Sequence, residues 1–327
     1  MITNNLLDPA YLAKDFVKQI KSKFESLNHE ISVVGLIAST DQPSIAYANA
    51  TKRKFENVGI NYDLRNIERL DLESEILRIN EDNNIHGVFI YFPIFNNQQD
   101  DYLRNLVDYK KDIEAGGTYW TRKLYENDRL AITGDNSKKA LLPCTPLAII
   151  KMLSHTSEYL AKEARPLKNK VVTIFNRSEV IGRPLAVMLS NDGAIVYSFD
   201  LNGPLKFTAG KPSEIEITRK EAIQHSDIII TGVPSEQFKK IDAQEIKQNA
   251  VCINFSSFSN FAENISEKTQ TYIPKVGPMT VAMCMRNTLR LYENFYAEPS
   301  ASIEPSASIE PSASKEPSAA KEPSDKS

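Results

Sequence analysis

Short apolar runs rich in β-branched residues recur at positions 31–38, 60–67, 87–92, 171–175, 194–199, 228–231 and 251–255. Polar, helix-length segments separate them, and strands alternating with helices predict an α/β fold with parallel sheets. The first three runs belong to one domain and the last four to a second. Positions 279–296 carry an apolar period of 3.6 and predict a long helix that returns to the first domain, leaving a cleft between the two. The expected boundaries are 1–144, completed by 279–296, and 145–278, with a connecting helix capped by Thr145. Beyond 296 the pattern stops. ASIEPS, ASIEPS, ASKEPS and AAKEPS follow one another, with proline at 299, 305, 311, 317 and 323. Proline every sixth residue excludes helix and sheet ladders, so 297–327 is expected to be a disordered tail, either a docking arm or a neutral repeat expansion.

A length of 327 residues suits two domains of about 150 residues each. The net charge of −3, without a basic stripe, gives no electrostatic case for nucleic acid as a partner. No apolar run approaches the ~18 residues needed to span a bilayer, and the opening residues lack a signal-peptide pattern. A cytoplasmic protein with no membrane partner is expected. Cys144, Cys252 and Cys284 are too scattered for a disulfide framework, and His29, His86, His155 and His225 show no ligand spacing, so no metal is expected.

Candidate chemistry concentrates between 170 and 201. The strand KVVTIF is followed by the polar turn NRSEVIGRP, a helical segment at 185–191 and the strand AIVYSF. Such a β-α-β unit presents backbone N–H groups and a helix N-terminus to a pyrophosphate, as in Rossmann-like domains. Arg177, Ser178, Gly182, Arg183 and Pro184 are the turn's candidates. Asp200 ends the second strand 18 positions after Gly182. That is near the roughly 20-residue offset at which an acidic side chain accepts from the ribose hydroxyls, where it would repel a 2′-phosphate. This favours NAD over NADP; the alternative is a polar residue that merely ends a strand.

Four other segments fall in a distinctive order: Tyr47-Ala-Asn-Ala-Thr51, Tyr91-Phe92-Pro93, Lys111-Asp112-Ile113-Glu114 and Pro143-Cys144-Thr145-Pro146. With NRSEVIGRP, TGVP at 231–234 and VGPMTVAM at 276–283, they resemble the methylenetetrahydrofolate dehydrogenase/cyclohydrolase family across nearly all of 1–296. The likeness is greatest to its monofunctional, NAD-dependent, yeast-type branch. The resemblance implies two α/β domains flanking a cleft, the second a Rossmann-like dinucleotide-binding domain. It also implies a tetrahydrofolate substrate, NAD as cofactor, a cytosolic homodimer and a place in one-carbon oxidation.

Departures from the family pattern refine these expectations. Bifunctional members have Tyr-x-x-x-Lys where this chain has Tyr47 and Thr51, and a glutamine where it has Tyr91. Tyrosine and lysine four apart share one helical face, and threonine supplies no cation to activate water. Hydride transfer without efficient cyclohydrolase activity is therefore expected. Tyr47, Tyr91 and Pro93 would orient folate. Asp112 and Glu114, with Glu114 the main candidate, would accept from the adjacent N–H donors of its 2-amino-4-oxopyrimidine ring. Cys144, beside a helix N-terminus, is either a catalytic thiol or a packing residue. On the cofactor side, Asn176 replaces the turn's first glycine and is expected to tolerate positive φ. Leu201 stands where NADP-using relatives have a serine. Gly232, Val233 and Pro234 close the next strand end, and Thr280 reaches toward the nicotinamide. The alternatives are a bifunctional enzyme in which another group replaces the lysine, and a silent folate or dinucleotide sensor.

Overall fold

Two short strands, β1 (Ile2–Thr3) and β2 (Leu6–Leu7), open the chain in the computed structural model, which describes residues 2–3, 5–27 and 29–297. The repeat from 298 onward lies outside the described residues. Helix α1 (Pro9–Glu25) starts where the Asp8 carboxylate accepts from Ala10 N, with proline at the opening position. The first lobe follows as β3 (Ile31–Ile37), α2 (Gln42–Glu56), β4 (Ile60–Asn66), α3 (Leu72–Glu81), β5 (Gly87–Ile90), α4 (Gln98–Leu106) and α5 (Thr118–Tyr125). Its three strands are parallel, in the order β4-β3-β5. Central β3, with the sequence ISVVGLI, is buried almost throughout, which is why it reads as a continuous apolar run.

Helix α6 (Cys144–Leu153) leads to the second lobe. There β6 (Val171–Phe175), α7 (Gly182–Asn191), β7 (Ile195–Asp200), β8 (Gly203–Thr208), β9 (Lys211–Glu214), α8 (Arg219–His225), β10 (Ile228–Thr231), β11 (Val251–Asn254) and β12 (Thr271–Ile273) build one sheet. Its order is β1-β2-β12-β11-β10-β6-β7-β8-β9. The central five are parallel. Read from β6, they follow the 2-1-3-4-5 doubly wound order, whose switch point lies between β6 and β10. Helix α9 (Gly277–Phe295) then packs against α1, α6 and α2.

The sheet's margins differ from the sequence expectation. The hairpin β8–β9 is antiparallel, and every residue of β9 is exposed, so it carries no apolar signal. The opening strands sit on the second lobe's sheet, where Tyr272 N donates to Asn5 O at 2.6 Å, although residues 1–144 were assigned to the first domain. Thr145 is not the cap of α6. The helix begins one residue earlier, behind Pro143, and no side chain caps it.

At the end of β10, Gly232 admits the Phe255 ring, which a Cβ at that position would overlap. Gly232→Ala is therefore expected to cost at least about 2 kcal/mol in denaturant unfolding, the overpacking penalty of a closed site. It should also displace the Val233 peptide at the switch point.

Candidate active site

The carboxyl ends of both sheets open into a cleft of about 590 Å³ between the lobes. Its first wall carries Tyr47 from α2 together with Tyr91, Phe92 and Pro93 at the end of β5. The Tyr47 and Tyr91 rings meet edge to face at 6.0 Å. The Tyr91 hydroxyl turns inward to the Tyr62 hydroxyl at 2.8 Å, and burial holds its pKa up at about 12. It is a neutral hydrogen-bonding group at physiological pH. Thr51 is buried, and its hydroxyl donates to Tyr47 O at 3.0 Å while also meeting the Tyr91 hydroxyl. The loop beyond Pro93 wraps the Asp100 carboxylate, which accepts from Phe95 N at 2.8 Å and Asn96 N at 3.0 Å. No motif pointed to Asp100, which folds one edge of the cleft.

The four residues 111–114 separate in space. Lys111 points away, donating from Nζ to Ile79 O and Asp82 O, both at 2.6 Å, at the C-terminal end of α3. The Asp112 carboxylate accepts from Gly117 N at 2.8 Å and closes its own loop, so the structure does not bring Asp112 to the cleft. The turn that follows places Ala115 at φ +53°. Glu114 does line the cleft, half-buried. Burial raises its pKa to about 8, the nearby Asp112 adds to the rise, and Arg104 opposes it. Arg104 was not anticipated. Its guanidinium lies 4.4 Å from the Phe92 ring centroid and pairs with Asp101 at 2.5 Å. It is the one lysine, arginine or histidine among the described residues lining the cleft.

Cys144 lines the floor of the cleft. Its thiol donates to Ile113 O at 3.2 Å, which makes it a satisfied buried donor at the opening of α6. Thr280, in the first turn of α9, closes the cleft.

The second lobe contributes the turn after β6, of which Val180 and Ile181 reach the cleft. Asn176 is not among the residues with positive φ, contrary to the expectation for a glycine replacement. Instead its side chain builds the turn. Nδ2 donates to Gly232 O at 2.9 Å, and Oδ1 accepts from Ser178 N at 3.0 Å and Ser178 Oγ at 2.8 Å. Gly182 opens α7 against this amide, where a Cβ would collide with Asn176 O. Pro184 is buried in the same helical turn, and Arg183 pairs with Glu179 at 2.8 Å.

Arg177 and Asp200 satisfy each other. They form a close ion pair, while Arg177 Nη1 also donates to Ser198 O at 2.8 Å and Gly203 O at 3.0 Å. Leu201 beside them is fully exposed. Across the switch point, Val233 N donates to Asn260 Oδ1 at 2.9 Å, and Ser256 Oγ donates to Val233 O at 2.9 Å. Asn260 and Ser256 were missed because a lone polar residue in a loop carries no signal.

The tetrahydrofolate dehydrogenase/cyclohydrolase catalytic domain matches residues 7–114, and the NAD(P)-binding domain of the same family matches residues 143–296. The methylenetetrahydrofolate dehydrogenase (NAD(+)) of Dictyostelium discoideum is 40% identical over 296 residues, covering 88% of this chain and 94% of its own. The protein of that name from Saccharomyces cerevisiae is 42% identical over 277 residues, covering 80% and 86%. The solved structure of the NAD-dependent 5,10-methylenetetrahydrofolate dehydrogenase from Saccharomyces cerevisiae superposes with a TM-score of 0.83 at 37% identity, over 89% of this chain and 97% of that one. Both family domains are matched in order along the two lobes that form the cleft, and the chain belongs to the tetrahydrofolate dehydrogenase/cyclohydrolase family.

Proposed function

We propose that this protein oxidises 5,10-methylenetetrahydrofolate to 5,10-methenyltetrahydrofolate with NAD, without efficient hydrolysis of the product. One observation carries the reading. A single cleft bears Glu114 and two tyrosine rings on one wall and the nucleotide turn on the other, with no lysine or histidine among its described lining residues. The Glu114 carboxylate suits the paired N–H donors of the pterin, and the Tyr47 and Tyr91 rings suit its flat face.

NAD fits the second wall. The switch point, the glycine-opened helix α7 and the clamped Gly232–Pro234 peptide are where an open α/β sheet holds a dinucleotide. Ser178, Gly182, Arg183 and Pro184 would hold the pyrophosphate side, Asp200 and Leu201 the adenosine ribose, and Thr280 the nicotinamide side. The cofactor supplies the hydride acceptor when bound. The chain itself aligns the folate methylene carbon with the cofactor and presents no lysine or histidine to the product among the described residues lining the cleft. Thr51 supplies no cation where bifunctional members have a lysine, and the Tyr91 hydroxyl is committed to Tyr62, which supports weak activation of water for ring opening. The family resemblance supports a cytosolic homodimer as the working form.

The Arg177–Asp200 pair supports NAD over NADP, because it leaves a carboxylate and a neutralised guanidinium beside the expected ribose site. With methylenetetrahydrofolate, steady-state assays should show reduction of NAD and little of NADP, and methenyltetrahydrofolate should accumulate. Rapid conversion to formyltetrahydrofolate would sink the monofunctional reading. Asp200→Ser frees Arg177 and should raise kcat/KM for NADP by about ten-fold, the worth of one charge-assisted contact.

Glu114 sets a pH dependence. Only its ionised form accepts both pterin donors, and in the empty cleft it holds its proton up to about pH 8. The KM for folate should therefore fall about ten-fold per unit as pH rises toward 8 and level off above it. Glu114→Gln should raise that KM and abolish the slope; a slope that survives in Glu114→Gln excludes this assignment.

A further inference from the structure

Asn287 is fully buried on α9, a helix whose buried face is mostly apolar, with Met283, Cys284 and Leu291 among its residues. A buried amide among apolar neighbours is costly unless its donors are satisfied. Here Nδ2 meets three acceptors: Ile113 O at 3.0 Å, Leu142 O at 3.0 Å and Cys144 Sγ at 3.2 Å. These acceptors come from two segments, the peptide just before Glu114 and the entry to α6.

Both segments are also tied directly to each other. Cys144 Sγ donates to Ile113 O at 3.2 Å, and Cys144 N donates to Glu114 O at 3.2 Å. The two carbonyls flanking the Glu114 Cα are thus both held, one by Asn287 and the Cys144 thiol and the other by the Cys144 peptide. Cys284, one turn before Asn287, lies against the Cys144 thiol. That contact, together with burial, keeps the Cys284 thiol protonated. Glu114 is followed by a positive-φ alanine and a glycine pair rather than by a regular element, so these bonds, with the Asp112 carboxylate that accepts from Gly117 N, set its height above the cleft floor.

We infer that Asn287 is a positioning residue for folate: its amide clasps the Ile113–Glu114 and Leu142–Cys144 segments together and so aims the Glu114 carboxyl at the substrate. Cys144 takes part as a thiol donor in the same clasp. The inference rests on the proposed folate reading of the cleft. The cofactor side is anchored independently, through Asn176 and Asn260, and does not depend on Asn287.

The test measures KM for methylenetetrahydrofolate and for NAD separately in purified full-length protein. Asn287→Leu keeps the volume and removes the donors, and Asn287→Ser keeps a shorter donor. Asn287→Leu should raise the folate KM by about ten-fold or more, the cost of a displaced contact group, and leave the NAD KM within about two-fold. Asn287→Ser should lie between it and wild type, and carries the test where Asn287→Leu does not fold. Thr288→Val is the control: Thr288 is buried on the same helix and donates to Cys284 O at 3.0 Å, so the variant should lower the melting temperature with both KM values unchanged. A merely structural Asn287 would reduce the active fraction and kcat without separating the two KM values, and that result overturns the clasp. Absence of NAD reduction by the wild type would instead overturn the folate reading, and the inference with it. Wild-type turnover with an unshifted folate KM in both variants overturns the clasp alone.

Discussion

One side chain holds the nucleotide half of the cleft together. In a doubly wound sheet, the connections after β6 and β10 leave on opposite faces, so the loops at the switch point diverge and their peptides run short of sheet partners. The Asn176 amide spans that gap, donating to Gly232 O across the switch point and accepting from Ser178 within its own turn. A first-position glycine would have shaped this turn by conformational freedom. Asparagine does it by hydrogen bonding, with an ordinary φ. The closeness of Gly182 follows, because the opening residue of α7 is seated against this amide and has no room for a Cβ. The Val233 peptide across the gap is held in turn by Asn260 and Ser256.

The folate half is governed by burial of charge. Two carboxyls two residues apart cannot both ionise cheaply in a half-dry cleft wall. Burial raises the pKa of both: at Asp112, which lies off the cleft, the N–H groups of its own loop oppose the rise, and Glu114 is left facing the cleft. Arg104, flattened on Phe92 and tied to Asp101, is near enough to temper that rise without neutralising Glu114 by direct contact. A carboxyl that is largely protonated when empty and ionises on meeting paired donors gives recognition a strong dependence on the ligand's hydrogen-bonding pattern.

The sequence showed what repeats and hid what depends on distant closure. The seven apolar runs were legible because parallel strands buried on both faces read as continuous β-branched stretches. The β8–β9 hairpin was not, since Lys211–Glu214 is wholly exposed and its pairing is set by Gly203 and Gly210 in left-handed turns. Asp112 and Glu114 were both expected at the pterin ring, with Glu114 the main candidate, and alternate residues of an extended segment do share a face. A bridge of Asp112 to Val88 keeps only the first in register before the turn at Ala115 breaks the alternation. The Arg177–Asp200 pair joins residues 23 apart, and Asn287 meets acceptors 174 and 145 positions away; no local pattern encodes either.

The two departures from the bifunctional pattern act at opposite walls by the same physics. On the folate wall, a cation's position is taken by a buried threonine whose hydroxyl donates within its own helix, so the cost of an unpaired buried charge is avoided. On the nucleotide wall, a cation is kept but neutralised by Asp200 at the end of the strand it braces. A guanidinium already using its donors on one carboxylate and two peptide carbonyls gains little from a phosphate, and would leave Asp200 unpaired if it turned to one. The proposed weak hydrolysis and the use of NAD thus both rest on groups that are satisfied within the chain rather than left for ligand or water.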